Sequence, residues 1–173
     1  MRIREAIKKD AKAMIDYLAA IAVESDNLTF GPGELQITEA IEEEILERSY
    51  QSDKNVFFLA LEGDEIVGNI NFHGSTRTRI AHVGEFGISV RKSHWGQGIG
   101  GQLMDALLEW APVHGIRKIN LRVRADNEPA IALYKKKGFE KEGYLRCEYI
   151  IDGECVDHLA MGLLLEADSD GEY

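Results

Sequence analysis

Four glycines, Gly96, Gly98, Gly100 and Gly101, fall within six positions, directly after a strand-like run (residues 82–90) and directly before an amphipathic helical pattern. Glycine lets main chain approach a partner closely and reach conformations that a Cβ forbids. The first turn of a helix adds N–H groups without intrahelical partners and the positive end of the peptide dipoles. The stretch therefore defines a strand–turn–helix unit. It reads either as a main-chain cradle for a pyrophosphate or as a plain flexible turn.

Apolar spacing sets out the other elements. Residues 2–6 read as a strand, and residues 8–23 as a helix, with Ala11, Met14, Ile15, Leu18, Ile21 and Ala22 recurring at three and four. A second helix is expected over residues 38–49, with Thr38 as N-cap, Ile41, Ile45 and Leu46 inward, and Glu42, Glu43 and Glu44 on the solvent side. Residues 56–61 and 66–72 form a hairpin about Gly63-Asp64. Gly84 and Gly87 interrupt the strand of residues 82–90, as at a bulge or a close approach of backbone. The helix after the glycines carries Ile99, Leu103, Leu107 and Trp110 on one face, and residues 119–123 alternate as a strand. A short helix over residues 127–137 precedes a last hairpin, residues 139–151 and 154–165, about Asp152-Gly153. A two-residue turn there sets Glu148 opposite Asp157 and Cys147 opposite His158, so no disulfide is expected. The order describes an α/β chain, a mixed sheet with helices on its faces.

Composition narrows the partners. At 173 residues, with 45% hydrophobic and 29% charged, the chain reads as one domain over residues 1–165 and an acidic tail, residues 166–173, expected to be disordered. A net charge of −10 argues against nucleic acid, whose binding rests on Lys and Arg neutralising phosphates. No apolar stretch suits a membrane span and no secretory h-region opens the chain, so a cytoplasmic location without membrane contact is expected. Cys147 and Cys155 suit a reducing compartment and spell no metal motif, so no metal is expected. Edge strands in the final hairpin leave a homodimer open.

Two segments carry a resemblance. Ile88-Ser89-Val90 followed by Trp95-Gly96-Gln97-Gly98-Ile99-Gly100 is similar to the fourth strand and Arg/Gln-x-x-Gly-x-Gly/Ala loop of the GNAT superfamily of N-acetyltransferases. Residues 127–139, Asn-Glu-Pro-Ala-Ile-Ala-Leu-Tyr-Lys-Lys-Lys-Gly-Phe, resemble its Asn-x-x-Ala-x-x-x-Tyr-x-x-x-Gly-Phe segment. Trp95 stands where the family has Arg or Gln. The resemblance implies a mostly antiparallel sheet of about seven strands with about four helices, splayed between strands four and five.

It implies acetyl-CoA as co-substrate and a primary amine, on a small molecule or a protein N-terminus, as acceptor. Main-chain groups of Ile88 and Val90 then pair with the pantetheine arm, and Gly96, Gln97, Gly98, Ile99, Gly100 and Gly101 hold the pyrophosphate. Ala130 allows close approach, and Asn127 either contacts the arm or caps its helix. Tyr134 is the implied general acid toward the thiolate, against an ordinary role in the core. Glu85 is the implied base, against a plain surface glutamate, with His82 and His73 behind it. The acceptor pocket is expected to involve residues 27–34 and the final hairpin.

Two rivals accompany this reading. One is a CoA-binding sensor without turnover. The other is a cysteine-acetyl route, although neither cysteine lies in the cofactor segments. A dinucleotide fold fails, because the acidic residue it needs about 20 positions on is missing.

Overall fold

The computed structural model describes residues 1–165; the expected tail lies outside them. Seven strands, β1 (Arg2–Glu5), β2 (Asn55–Glu62), β3 (Glu65–Gly74), β4 (Val83–Val90), β5 (Lys118–Arg124), β6 (Glu140–Ile151) and β7 (Glu154–Leu164), form one sheet ordered β1-β2-β3-β4-β5-β7-β6. Every neighbouring pair is antiparallel except β4–β5.

Four helices cover the two faces. On one side lie α1 (Ala11–Glu24) and α2 (Glu39–Tyr50), whose Met14, Tyr17, Ile21 and Leu46 are buried on Leu59, Leu61 and Ile66. On the other, α3 (Ile99–Val113) buries Leu103, Met104 and Leu107 against Ala60, Ile70, Phe72 and Phe86. The helix α4 (Glu128–Lys136) adds Tyr134 to that second core. Among the described residues no helix is long and apolar enough to cross a membrane.

The feature that positions the site is the β4–β5 pair. It holds only at Val83–Lys118, Gly84–Ile119 and Glu85–Asn120, after which the strands part. This is the expected splay.

Several expectations change. On α2, Thr38 does cap the helix, accepting from the Ile41 N–H at 3.3 Å, but the inward face is Glu42, Leu46 and Ser49. Ile41 and Ile45 are 49% and 36% exposed, whereas Glu42 is 3% exposed and its carboxyl is pushed upward by burial. The apolar spacing there was too sparse to fix the rotation of the helix. No bulge occurs at Gly84 or Gly87: β3 and β4 pair without a register shift from Gly74–Gly84 to Gly68–Val90. Gly84 is instead the space beneath Phe72, since a Cβ there would lie 2.1 Å from the ring Cζ and 2.6 Å from the His73 carbonyl.

The last hairpin also departs from the even register. Ile151 faces Glu154 and Tyr149 faces Val156, but Leu145 faces His158, so residues 146–148 share Asp157. Cys147 takes a positive φ of 52° in this bulge, and its Sγ is bonded to that of Cys155, with the Cα atoms 4.5 Å apart. The expectation of unpaired cysteines fails because a bulge replaces the continuous ladder. Glu148 likewise does not face Asp157 one to one; its carboxylate pairs with Arg122 at 2.6 Å.

Gly84→Ala should destabilise the protein by about 2–3 kcal/mol through overpacking beneath Phe72. Denaturant unfolding checks this, and a change below about 0.5 kcal/mol would mean that Phe72 can move aside.

Candidate active site

The gap between β4 and β5 is lined by main chain. The Arg91 N–H donates to the Val67 carbonyl at 2.9 Å, so odd-numbered residues of β4 turn their N–H and C=O groups toward β3. By the same alternation Phe86, Ile88 and Val90 aim theirs at the opening. There β5 is no longer within pairing reach. The expected strand contacts thus have both main-chain groups of Ile88 and the N–H of Val90 free to make them.

At the end of β4 the chain is tied down twice. Glu24 accepts the Lys92 N–H at 2.7 Å and the Arg91 Nε–H at 2.9 Å, and these donors, Lys92 first, hold its carboxyl below the usual range. Trp95, 49% exposed, donates its indole N–H to the Val90 carbonyl at 2.7 Å. That bond is what tryptophan supplies in place of Arg or Gln, and it partly engages one group assigned to the pantetheine.

Beyond Trp95, Gly96 and Gly98 adopt φ of 75° and 78°, where a side chain is strained although nothing lies within 4 Å. Between them the Gln97 amide donates back to the Ser93 carbonyl at 3.3 Å. Gly98 caps α3 without any side-chain bond, and the first bond within the helix runs from the Gln102 N–H to the Gly98 carbonyl. The N–H groups of Ile99, Gly100 and Gly101 are therefore open to an anion. Ile99 points its side chain into the core instead, at 3% exposure. A Cβ on Gly100 would stand 3.4 Å from Leu133 and 3.9 Å from Ile88, so the cradle, the strand and α4 meet at one place.

Asn127 caps α4 through Oδ1, which accepts the Ala130 N–H at 3.3 Å. The cap leaves both amide hydrogens of its Nδ2 free. Ala130 is half-buried in the first turn. One turn on, Tyr134 is 6% exposed and packs edge-to-face on Phe86 at 5.9 Å and on Phe139 at 6.1 Å. Burial pushes its hydroxyl up to about 12, so the phenol keeps its proton at neutral pH.

Glu85 lies on the other face of β4. Its cross-strand neighbours are His73 and Asn120, and its carboxylate is 3.7 Å from Arg122 Nε. The structure therefore brings Glu85 and Tyr134 to the same split from opposite sides. His73 meets Phe57 edge-on at 5.7 Å, and the water excluded around it lowers its pKa. His82 stands before β4, where its carbonyl receives the Arg117 and Lys118 N–H groups at the closed end of the split. From the segment of residues 27–34, Leu28 and Phe30 pack on the α1 core. Asn69, Asn71, Asn120 and Arg122 were not singled out from sequence, and Glu148 was, but against Asp157 rather than Arg122. The available signal was Asn69, Asn71 and His73 alternating through an otherwise apolar strand.

The sequence profile of the acetyltransferase (GNAT) family matches residues 20–139. The chain belongs to that family. A GNAT-family acetyltransferase from Streptococcus pneumoniae superposes with a TM-score of 0.92 at 31% identity, over 95% of this chain and 99% of that one. The L-amino acid N-acetyltransferase AaaT of Escherichia coli is 38% identical over 101 residues, 56% of this chain. That match spans 60% of AaaT's length. A putative acetyltransferase from Salmonella typhimurium, solved with its cofactor acetyl-CoA, shares the GNAT fold at a TM-score of 0.85 and 18% identity, over 99% of this chain and 98% of that one.

Asn127→Ala should cost about 1 kcal/mol of stability through the lost helix cap, whereas Asn127→Asp, which caps equally well, should cost little. Thermal unfolding of the two variants side by side checks this; equal losses would show that the cap is not what Asn127 contributes.

Proposed function

We propose that the protein is an acetyl-CoA-dependent N-acetyltransferase that passes acetyl directly to a primary amine within a ternary complex. One observation carries the reading. The β4–β5 ladder stops after Glu85, and the free main chain beyond it runs to an uncapped helix end that can receive a pyrophosphate. The residues fit the co-substrate: left-handed glycines clear the approach, and N–H groups of residues 99–101 face outward from α3. Asn127 Nδ2, with its oxygen occupied by the cap, is a donor for a pantetheine carbonyl.

In the proposed reaction the amine nitrogen forms a bond to the acetyl carbon and the carbon–sulfur bond breaks. Glu85, half exposed at the split, takes the ammonium proton directly or through water. Tyr134, protonated and buried, gives its proton to the departing thiolate, and the second proton that the nitrogen loses on becoming an amide restores the phenol through water. Electrophilic assistance to the carbonyl falls to main-chain N–H groups of β4. Cys147 and Cys155 are bonded to each other and neither lies in the cofactor segments, so a cysteine-acetyl intermediate would first require that bond to be reduced. A cytoplasmic setting goes with this co-substrate, and there the cysteine pair faces a reducing pool.

Tyr134→Phe should lower kcat by roughly 10²-fold, in the range for a lost general acid, with acetyl-CoA affinity nearly unchanged. Following free thiol release with a panel of amines measures it, and an unchanged kcat removes Tyr134 from the role. Tight coenzyme A binding without thiol release from any amine would favour the sensor. Trp95→Phe, which deletes one hydrogen bond of about 1 kcal/mol, should weaken coenzyme A binding about fivefold by calorimetry. Undiminished affinity would mean that the loop keeps its place without the indole.

A further inference from the structure

On the α1 side of the sheet, the half formed by β3, β4 and β5 presents oxygens and leaves its cations occupied. Asn71 gives an amide hydrogen to His73 Nε2, the two nitrogens being 2.9 Å apart. This turns Asn71 Oδ1 over Gly87, where a Cβ would lie 3.1 Å from it. That contact uses the tautomer of His73 with no proton on Nε2, a form that its lowered pKa favours. Asn69 Oδ1 and Asn120 Oδ1 are buried without a donor among the described residues, Asn69 being only 5% exposed. A buried carbonyl oxygen left so is costly, and an N–H from a ligand recovers that cost.

The basic side chains that β5 sends to this face are matched to carboxylates. Arg122 holds Glu148 at 2.6 Å, Arg124 holds Asp126 at 2.8 Å, and Lys118 holds Glu142 at 2.8 Å. Arg122, nearest to Glu85, is the one that an incoming carboxylate would need.

We propose that this polar face is the acceptor subsite and that it takes a primary ammonium whose carbon bears no carboxylate: an alkylamine, an amino-acid amide or a peptide N-terminus. Asn71 Oδ1, Glu85 and Asn120 Oδ1 receive its N–H groups, and Glu148 keeps Arg122 from recruiting a free acid. The proposal rests on the acetyl-transfer reading and adds the class of acceptor to it.

The test uses the full chain with acetyl-CoA and matched free-acid and amide forms of leucine, phenylalanine and methionine, with a tripeptide and a polyamine alongside. Wild type should favour amide over acid by at least about tenfold in kcat/KM. Glu148→Gln frees Arg122 and should lower that ratio on the order of tenfold; comparing the two proteins cancels the differing basicities of the amines. Asn71→Ala should raise the amine KM about tenfold with coenzyme A affinity unchanged, a split that a merely structural role would not produce. Free acids used as well as amides, a ratio unmoved by Glu148→Gln, or an unmoved KM in Asn71→Ala would overturn the assignment and leave acetyl transfer standing. Thiol release from no amine, with coenzyme A still bound, would instead overturn acetyl transfer itself.

Discussion

Between β4 and β5 the hydrogen-bond ladder ends at Glu85 and Asn120, in the middle of a seven-stranded sheet. Backbone N–H and C=O groups set away from both water and partners are costly, so a sheet does not open at its centre without something to meet them. The protein meets one itself, with the Trp95 indole on the Val90 carbonyl. The others face the opening. On the proposed function, this opening gives a ligand anchored by its anionic end at the first turn of α3 a path across the sheet.

The same opening divides the chemistry by face. Toward α3 and α4, Phe86, Tyr134 and Phe139 form a dry aromatic wall, where a phenol holds its proton. Toward α1 the sheet is apolar only where the helix covers it, over Leu59, Leu61 and Ile66. The border is marked by Tyr17, whose buried hydroxyl meets Ser89 Oγ at 2.9 Å and is pushed upward by that burial. Past it the strands carry asparagines, a histidine and a glutamate. In the proposed reaction the proton donor, Tyr134, and the acceptor, Glu85, thus do not neutralise each other, since β4 stands between them.

Much of this was legible in residue order. The glycines, the strand before them and the Asn-to-Phe segment each sit in one short run, where local chemistry decides the backbone, and their elements came out in place. What failed depended on pairing across the sheet. Of the two readings of Gly84, the bulge fails and the close approach holds, against the His73 carbonyl and the Phe72 ring on the neighbouring strand. The rotation of α2 turns on Glu42 entering the interior, which no spacing of apolar residues announces. The polar row on β3 is visible as alternation. That it joins Asn120 and Arg122 requires knowing that β3, β4 and β5 are neighbours.

The final hairpin shows how a local irregularity reaches the split. With three residues of β6 set against Asp157 alone, the ladder cannot satisfy them, and the Asp157 carboxylate takes over. It accepts the Cys147 N–H at 2.7 Å and the Tyr144 hydroxyl at 2.7 Å, and these bonds hold it below the usual carboxylate range. The neighbouring bond between Cys147 and Cys155 closes the same bulge covalently. Glu148 follows directly in the chain and reaches Arg122, which in turn stands beside Glu85. An even hairpin would have set Glu148 against Asp157, two like charges across a ladder. The bulge removes that repulsion by giving each carboxylate its own donors, and in doing so links the hairpin to the residues beside the opening.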